Sequence, residues 1–447
     1  MSWDCLIHNA LVLTLEPGAA PLGDGYVAIQ GGKIAAVGQA AHPAQLTPAR
    51  ETLNARGGLI LPGLVNTHTH AAMVWFRGLA DDLPLQAWLT DVIFPAEAGW
   101  LNPERVYEGT LLAAAEMIRG GTTTVADGYF YETEVRRALA QAGLRAVVAQ
   151  GVVDFPAPGV PDPRDNLKVA AAFLESGGDV PSDRITSAIF CHSPYTCGEE
   201  TLKRAKGLTR DRGVPYFIHV AETREEVAQI QKKTGLSPVA YLESLGVLDE
   251  LTVAVHCVWL SPADDEILAR RRVKVSHTPE SNLKLAAGVA PIPQLLARGV
   301  TVGLGTDGAA SNNDLDLFGE MSLAARLHKV WNRDPTLLPA ARVVALATRE
   351  GARVLGLEER IGTLTPGKEA DLIVVELNRP HLTPLYDPYS HLVYAAGAAD
   401  VQHVMVGGRW LLHHRQLKTL NWAELALRLK ADSQDLARFC QKLPGRA

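Results

Sequence analysis

Eight short apolar runs, each bounded by turn residues and most followed by an Ala/Leu-rich stretch with helical spacing, constrain this chain more than any other feature. They span residues 61–70, 122–127, 145–154, 184–192, 215–222, 251–258, 273–277 and 301–307. Continuous apolar runs of this length mark parallel strands buried on both faces. Residues 104–119, 199–212 and 264–271 are among the helical stretches between them. Eight βα units in roughly 300 residues predict a (β/α)8 barrel of the TIM type. A doubly wound open sheet would want a glycine-rich phosphate turn after the first strand, and Thr67-His68-Thr69-His70 stands there instead.

The two chain ends read differently. Residues 6–15, 26–29, 33–37 and 51–54 are short β-rich runs punctuated by Gly31-Gly32, and residues 370–376 and 401–412 resume that style, with Gly407-Gly408 as a hairpin turn. The expected organisation is a flanking β-sandwich domain from residues 1–58 plus 365–420, a catalytic barrel from 59–364, and a charged helical tail over 421–447 on the surface.

Composition narrows the class. Hydrophobic residues are 47% and charged residues 21% of 447, which is ordinary globular usage and excludes disordered and fibrous chains. Lys+Arg 43 against Asp+Glu 49 gives a net charge of −6, which excludes a broadly basic nucleic-acid footprint. The five cysteines are odd in number and form no CxxC, so the reading is a reducing cytoplasm without a disulfide framework. No basic n-region precedes the first apolar stretch, and no apolar run approaches the ~20 residues that span a bilayer.

The chemistry sits at the C-terminal ends of the expected strands, the catalytic face of such barrels. The first ends in His68 and His70, whose i, i+2 spacing on a strand points both imidazoles to one side. The fifth ends His219-Val220-Ala221-Glu222, the sixth supplies His256, and the eighth ends in Asp307. Imidazoles and a carboxylate gathered at strand ends suit a divalent ion, with zinc the default. Taken singly, His219 reads as a core histidine and Asp307 as a helix N-cap; their combination in barrel order points to metal. His192, ending the fourth strand, reads equally as a structural or a substrate residue. Cys191, Cys197 and Cys257 read as packing residues, since none repeats at ligand spacing. The fourth strand carries no lysine to bridge two ions, so one metal per chain is expected.

PGLVNTHTH (62–70), HVAE (219–222), AVHCVWL (254–260), SHTPESNLKL (276–285), GLGTDGAASNN (303–313) and PGKEADLIVVE (366–376) resemble the amidohydrolase superfamily. Within its deaminase and chlorohydrolase branch they are most similar to the 5′-methylthioadenosine/S-adenosylhomocysteine deaminases. The resemblance implies a barrel with a flanking β-sandwich and one Zn2+ held by His68, His70, His219 and Asp307. It implies that Glu222 moves a proton onto the purine ring, that His256 orients the attacking water, and that Asp307 also serves as base. It further implies that Glu97 binds ribose hydroxyls, that His192 binds substrate, and that Trp88 lines the pocket.

The expected reaction replaces the exocyclic amine at purine C6 by oxygen. The family tends to carry an arginine near residues 144–153 for a carboxylate tail, and this chain has Gln150 there. Arg164, in the following loop, is the other candidate for such a tail. Without a charge at Gln150, the expected preference is for 5′-methylthioadenosine over S-adenosylhomocysteine, with adenosine also admissible. A guanine, cytosine or triazine hydrolase of the same barrel is one alternative, and a metal-free scaffold or binding protein is another. A symmetric homo-oligomer is the expected assembly.

Overall fold

The computed structural model describes residues 2–40, 46–176 and 183–441. All eight expected runs contribute strands to one parallel sheet. These are β1 (Leu64–Thr69), β2 (Thr122–Tyr129), β3 (Arg145–Val152), β4 (Ile185–Cys191), β5 (Tyr216–Val220), β6 (Thr252–His256), β7 (Lys274–His277) and β8 (Val302–Leu304). Each pairs with the next in chain order. Val65, Ala126, Val147, Phe190 and Phe217 fill the interior together with Val354, from the helix Arg349–Val354.

The path closes between β8 and β1. The Asp307 N–H donates to His68 O at 3.0 Å, and the Thr306 N–H donates to Asn66 Oδ1 at 3.1 Å. Asn66 Nδ2 returns a bond to Thr306 Oγ1 at 2.8 Å. Strand eight can come this close because it carries Gly303 and Gly305. A Cβ at Gly303 would stand 2.6 Å from Thr67 Cγ2, and one at Gly305 would stand 2.9 Å from the His68 nitrogen. These approaches leave no room for a side chain.

The chain ends share a second, nine-stranded mixed sheet. They meet where Leu59–Pro62 pairs in parallel with Trp3–Val12 and antiparallel with Leu372–Val375. Residues 59–62, expected inside the barrel, therefore belong to the flanking sheet. The chain passes from one sheet to the other at Gly63, where a Cβ would collide with Thr123. Val401–Val406 and Arg409–His413 form the expected hairpin, with Gly407 and Gly408 at φ 54° and 77°. Both positive values suit the tight turn that matches strand twist. Ile7, Val27, Ile29, Ile60, Leu372 and Met405 give this sheet a core of its own.

The helical tail runs Trp422–Cys440, N-capped by Asn421; residues 442–447 lie outside the described residues. It is more than surface decoration. Leu425, Leu429, Leu436 and Cys440 are buried, and Phe439 meets Trp100 with ring centroids 6.2 Å apart. The tail thus braces the helix Phe94–Trp100.

One buried ion pair joins the two sheets. Arg145 Nε and Nη2 donate to Asp371 Oδ2 and Oδ1 at 2.8 and 3.1 Å. Asp371 also accepts from the Gly407 N–H at 2.8 Å, which fixes the hairpin. Removing one partner of such a pair strands a buried charge, at a cost of about 3–5 kcal/mol. Arg145→Ala is expected to lose that much stability in urea titration, and a loss below ~1 kcal/mol would show that the pair does not hold the units together.

Candidate active site

The C-terminal ends of β1, β5, β6 and β8 carry the polar side chains, and the backbone there is unusual. Ala221, His256, Cys257 and Asp307 adopt φ of 51°, 70°, 50° and 62°. Non-glycine residues enter this left-handed region at a cost of roughly 1–2 kcal/mol each. The reversals occur as each strand ends, beside or at the residues that face the cavity. Such strain persists where surrounding contacts over-determine it, and it clusters at functional sites.

His68, His70, His219 and Asp307 each offer one ligand atom, and these atoms lie within 4.8 Å of one another. His68 Nε2 and His219 Nε2 are 3.2 Å apart, and Asp307 Oδ1 lies 3.3 Å from both His68 Nε2 and His70 Nε2. The second heteroatoms of His70 and Asp307 are already committed. His70 Nδ1 sits 2.5 Å from the Gly128 carbonyl, which can only accept, so Nδ1 carries the proton and Nε2 keeps its lone pair. Asp307 Oδ2 accepts from Ser281 Oγ at 2.7 Å and Ser311 Oγ at 3.0 Å, leaving Oδ1 for the cluster. A cation among these atoms makes the approach of two imidazole lone pairs favourable, so the set fits a divalent ion.

The electrostatics agree. Burial pushes the His68 imidazole down to about 4 and His219 well below its ordinary value, so both stay neutral, as ligands must be. Burial alone would raise Asp307, but hydrogen bonds to His68 and His70 outweigh it and hold the carboxyl well below the usual range. Among the described residues this is the one such cluster of metal-ligating groups. Cys5, Cys191, Cys197 and Cys257 are buried free thiols, and burial lifts the Cys257 thiol away from ionisation.

The cluster opens into a cavity lined also by Glu222, His256, Glu97, Trp88 and His192. Glu222 Oε2 lies 3.9 Å from His256 Nε2. His256 Nδ1 donates to Asn282 Oδ1 at 2.9 Å, with Thr278 Oγ1 at the same distance, which turns Nε2 toward the cavity. Burial raises the Glu222 carboxyl, so it can hold a proton nearer neutrality than a free glutamate does. Glu97 is buried on the helix Phe94–Trp100, where burial pushes it up to about 7 and the Tyr129 hydroxyl donates to its Oε1 at 2.5 Å. Trp88 opens a π-helical segment, Trp88–Ile93, on the same side. His192 is held by Thr196 Oγ1 at 3.1 Å, and burial takes it to about 3.

Two expected substrate contacts lie elsewhere. Gln150 does not line the cavity; it is buried and its amide donates to Gly151 O at 3.2 Å. The cavity takes its lining from the residues that follow, Gly151, Val152 and Val153. Arg164 is an exposed loop residue, its side chain 88% accessible and ion-paired to Asp162 at 2.6 Å. Among the described residues no lysine or arginine lines the cavity, whose apolar lining includes Phe94, Phe130, Phe155, Pro156 and Leu89.

Residues that sequence reasoning passed over also matter here. Ser281 and Asn282 lie in a motif already quoted but had been given no role. Tyr129 carries no sequence signal beyond its place at the end of a strand. Glu226 does carry one: Thr223 and Glu226 have the spacing of a capping box.

The amidohydrolase family profile matches residues 59–411. A "5-methylthioadenosine/S-adenosylhomocysteine deaminase" of Syntrophobacter fumaroxidans is 49% identical over 427 residues, 96% of this chain and 97% of that protein. A "5′-deoxyadenosine deaminase" of Methanothermobacter thermautotrophicus is 48% identical over 89% of this chain and 91% of its own length. The crystal structure of an adenosine deaminase from Xanthomonas campestris with bound zinc is 38% identical. It superposes with a TM-score of 0.95 over 98% of this chain and 99% of that one.

If the four-residue cluster is the metal site, His219→Ala is expected to lower bound divalent metal at least ~10-fold, the scale on which single metal contacts act. Cys257→Ala, which removes a buried thiol outside the cluster, should leave it unchanged. Elemental analysis of both variants decides; equal metal in the two would contradict the assignment.

Proposed function

The chain belongs to the amidohydrolase family, and on that premise we propose that it is a metal-dependent deaminase acting at purine C6 of an adenosine derivative. Ammonia and an inosine-type product leave. The observation that carries the reading is that a four-ligand cluster, a non-ligating acid (Glu222) and a second buried acid (Glu97) face one cavity. The zinc-bound relative and the nitrogen-rich ligand set both favour zinc, one ion per chain, held by His68, His70, His219 and Asp307.

When bound, such an ion brings the pKa of its water into the neutral range. Asp307, its Oδ2 fixed by Ser281 and Ser311, would take a proton from the attacking water. Glu222 gives a proton to the ring nitrogen beside C6, which lets the ring accept the nucleophile. Burial raises its carboxyl above the ordinary range, which favours the acid form that task needs. His256, oriented by Asn282, holds the attacking oxygen in line with C6. Water thereby adds across the C6–N1 bond, the proton taken by Asp307 passes to the amine, which leaves as ammonia, and the C6 hydroxyl returns its proton to Glu222 as the oxygen becomes the carbonyl of the product.

The cavity also supports a preference among substrates. S-adenosylhomocysteine ends in a charged amino acid, and a buried carboxylate needs a cation such as arginine. With aromatic and proline residues and no cation in the lining, the uncharged 5′ ends of 5′-methylthioadenosine and 5′-deoxyadenosine fit better. Both names occur among the relatives. The buried thiols of Cys5, Cys191, Cys197 and Cys257 fit a reducing cytoplasm, and among the described residues no helix is long and apolar enough to cross a membrane. A small nucleoside is the partner, and a homo-oligomer is the proposed assembly.

Glu97 provides the test. One of its oxygens accepts from Tyr129, and the other is free for the ribose hydroxyls. A charge-assisted bond lost without compensation costs roughly 1.5–3 kcal/mol. The 2′-deoxy analogue is therefore expected to lose ~10-fold or more in kcat/KM, measured as ammonia release, and Glu97→Gln to narrow that ratio. The carboxyl is neutral below about 7 and ionised above it, so KM should rise as pH falls through that value and stay flat in Glu97→Gln. Equal use of ribo and deoxyribo substrates would remove Glu97 from the site.

A further inference from the structure

Behind the cavity, the turn that presents Glu222 is built in a conformation its residues do not favour. Ala221 follows the last residue of β5 with φ 51°, and Glu222 is next. The buried N–H groups of Ala221 and Glu222 both need an acceptor. Glu226 supplies it: Oε1 accepts from the Ala221 N–H at 2.7 Å and Oε2 from the Glu222 N–H at 2.8 Å.

Glu226 stands three residues after Thr223, the N-cap of the helix Arg224–Thr234. Thr223 Oγ1 accepts from the Glu226 N–H at 3.2 Å, the first half of a capping box. The second half departs from the usual box, because the carboxylate reaches past the N-cap to the two preceding residues. Glu226 is itself 4% exposed. Burial lifts its carboxyl, to about 8, and the N–H donors oppose the shift. Since both oxygens accept N–H bonds, the geometry is that of the carboxylate.

We infer that Glu226 is a positioning residue for Glu222: its bidentate grip on the two N–H groups holds the left-handed turn and so sets where the Glu222 carboxyl meets the substrate ring. The inference rests on the reading that Glu222 carries the proton. Glutamine at position 226 cannot replace the grip, because it offers one oxygen and sets an NH2 donor against an N–H donor. Misplacing a catalytic group by about 1 Å can cost ~10²-fold in rate.

The test is a double-mutant cycle on the metal-loaded enzyme with 5′-methylthioadenosine, comparing Glu226→Gln, Glu222→Gln and the double variant. Glu226→Gln is expected to lower kcat ~10- to 100-fold, with bound metal unchanged and KM within ~3-fold. In the Glu222→Gln background the same change should cost less than ~2-fold, because the group it positions is already gone. A full additional loss in that background, or a loss of metal in Glu226→Gln, would overturn the inference in favour of a general structural role. Normal turnover in Glu226→Gln alone would overturn it while leaving the proton shuttle intact. Normal turnover in Glu222→Gln would instead overturn the reading beneath it. Should Glu226→Gln fail to fold, the cycle is run with Ala221→Gly throughout, since glycine accepts the positive φ without strain.

Discussion

The approach of β8 to β1 is the contact on which the site depends. Asp307 can reach His68 and His70 only if the last strand lies against the first, and Gly303 and Gly305 permit that by having no Cβ where Thr67 and the His68 backbone stand. The gap is then tied by the Asp307 N–H to His68 O and by Asn66 on both sides of Thr306. The same closure that completes the barrel brings the carboxylate against the imidazoles. A side chain at either glycine would separate barrel halves and ligands together.

Once gathered, these groups are buried, and burial together with their contacts on one another sets their protonation, the Asp307 carboxylate raising His70 against its burial. Burial keeps His68 and His219 neutral and ready to ligate, and it raises Glu222 and Glu97 toward neutral pH. Asp307 moves the other way because two imidazoles face it. One enclosed cavity thus holds a carboxylate that stays ionised and a second acid that can carry a proton. Environments that push titratable groups apart in this way separate base from acid in hydrolytic sites. The left-handed strand ends are the mechanical counterpart, turning the chain at Ala221, His256 and Asp307.

Much of this was legible in the sequence, because barrel strands and metal ligands both leave local signals. His68 and His70 share a strand face, and eight apolar runs count eight strands. Leu59–Pro62 was misplaced because an apolar run does not announce that Gly63 divides it between two sheets. Gln150 shows a related limit: composition identifies a strand, but which of its residues border the cavity is set by the fold, which brings Gly151, Val152 and Val153 there. Arg164 carries charge, but in this fold Asp162 takes it. Glu226, Ser281 and Asn282 act on backbone groups or on other catalytic side chains, and such roles depend on contacts that only the folded chain creates.

The central claim is that water, not another nucleophile, replaces the amine at C6 of an adenosine derivative. The most direct measurement is turnover of 5′-methylthioadenosine by metal-loaded protein in water enriched in heavy oxygen, with product mass and ammonia followed together. The account predicts one heavy oxygen at C6 for each ammonia released, and no conversion after the metal is stripped. Ammonia release without label at C6, or unchanged conversion by the metal-free protein, would contradict it.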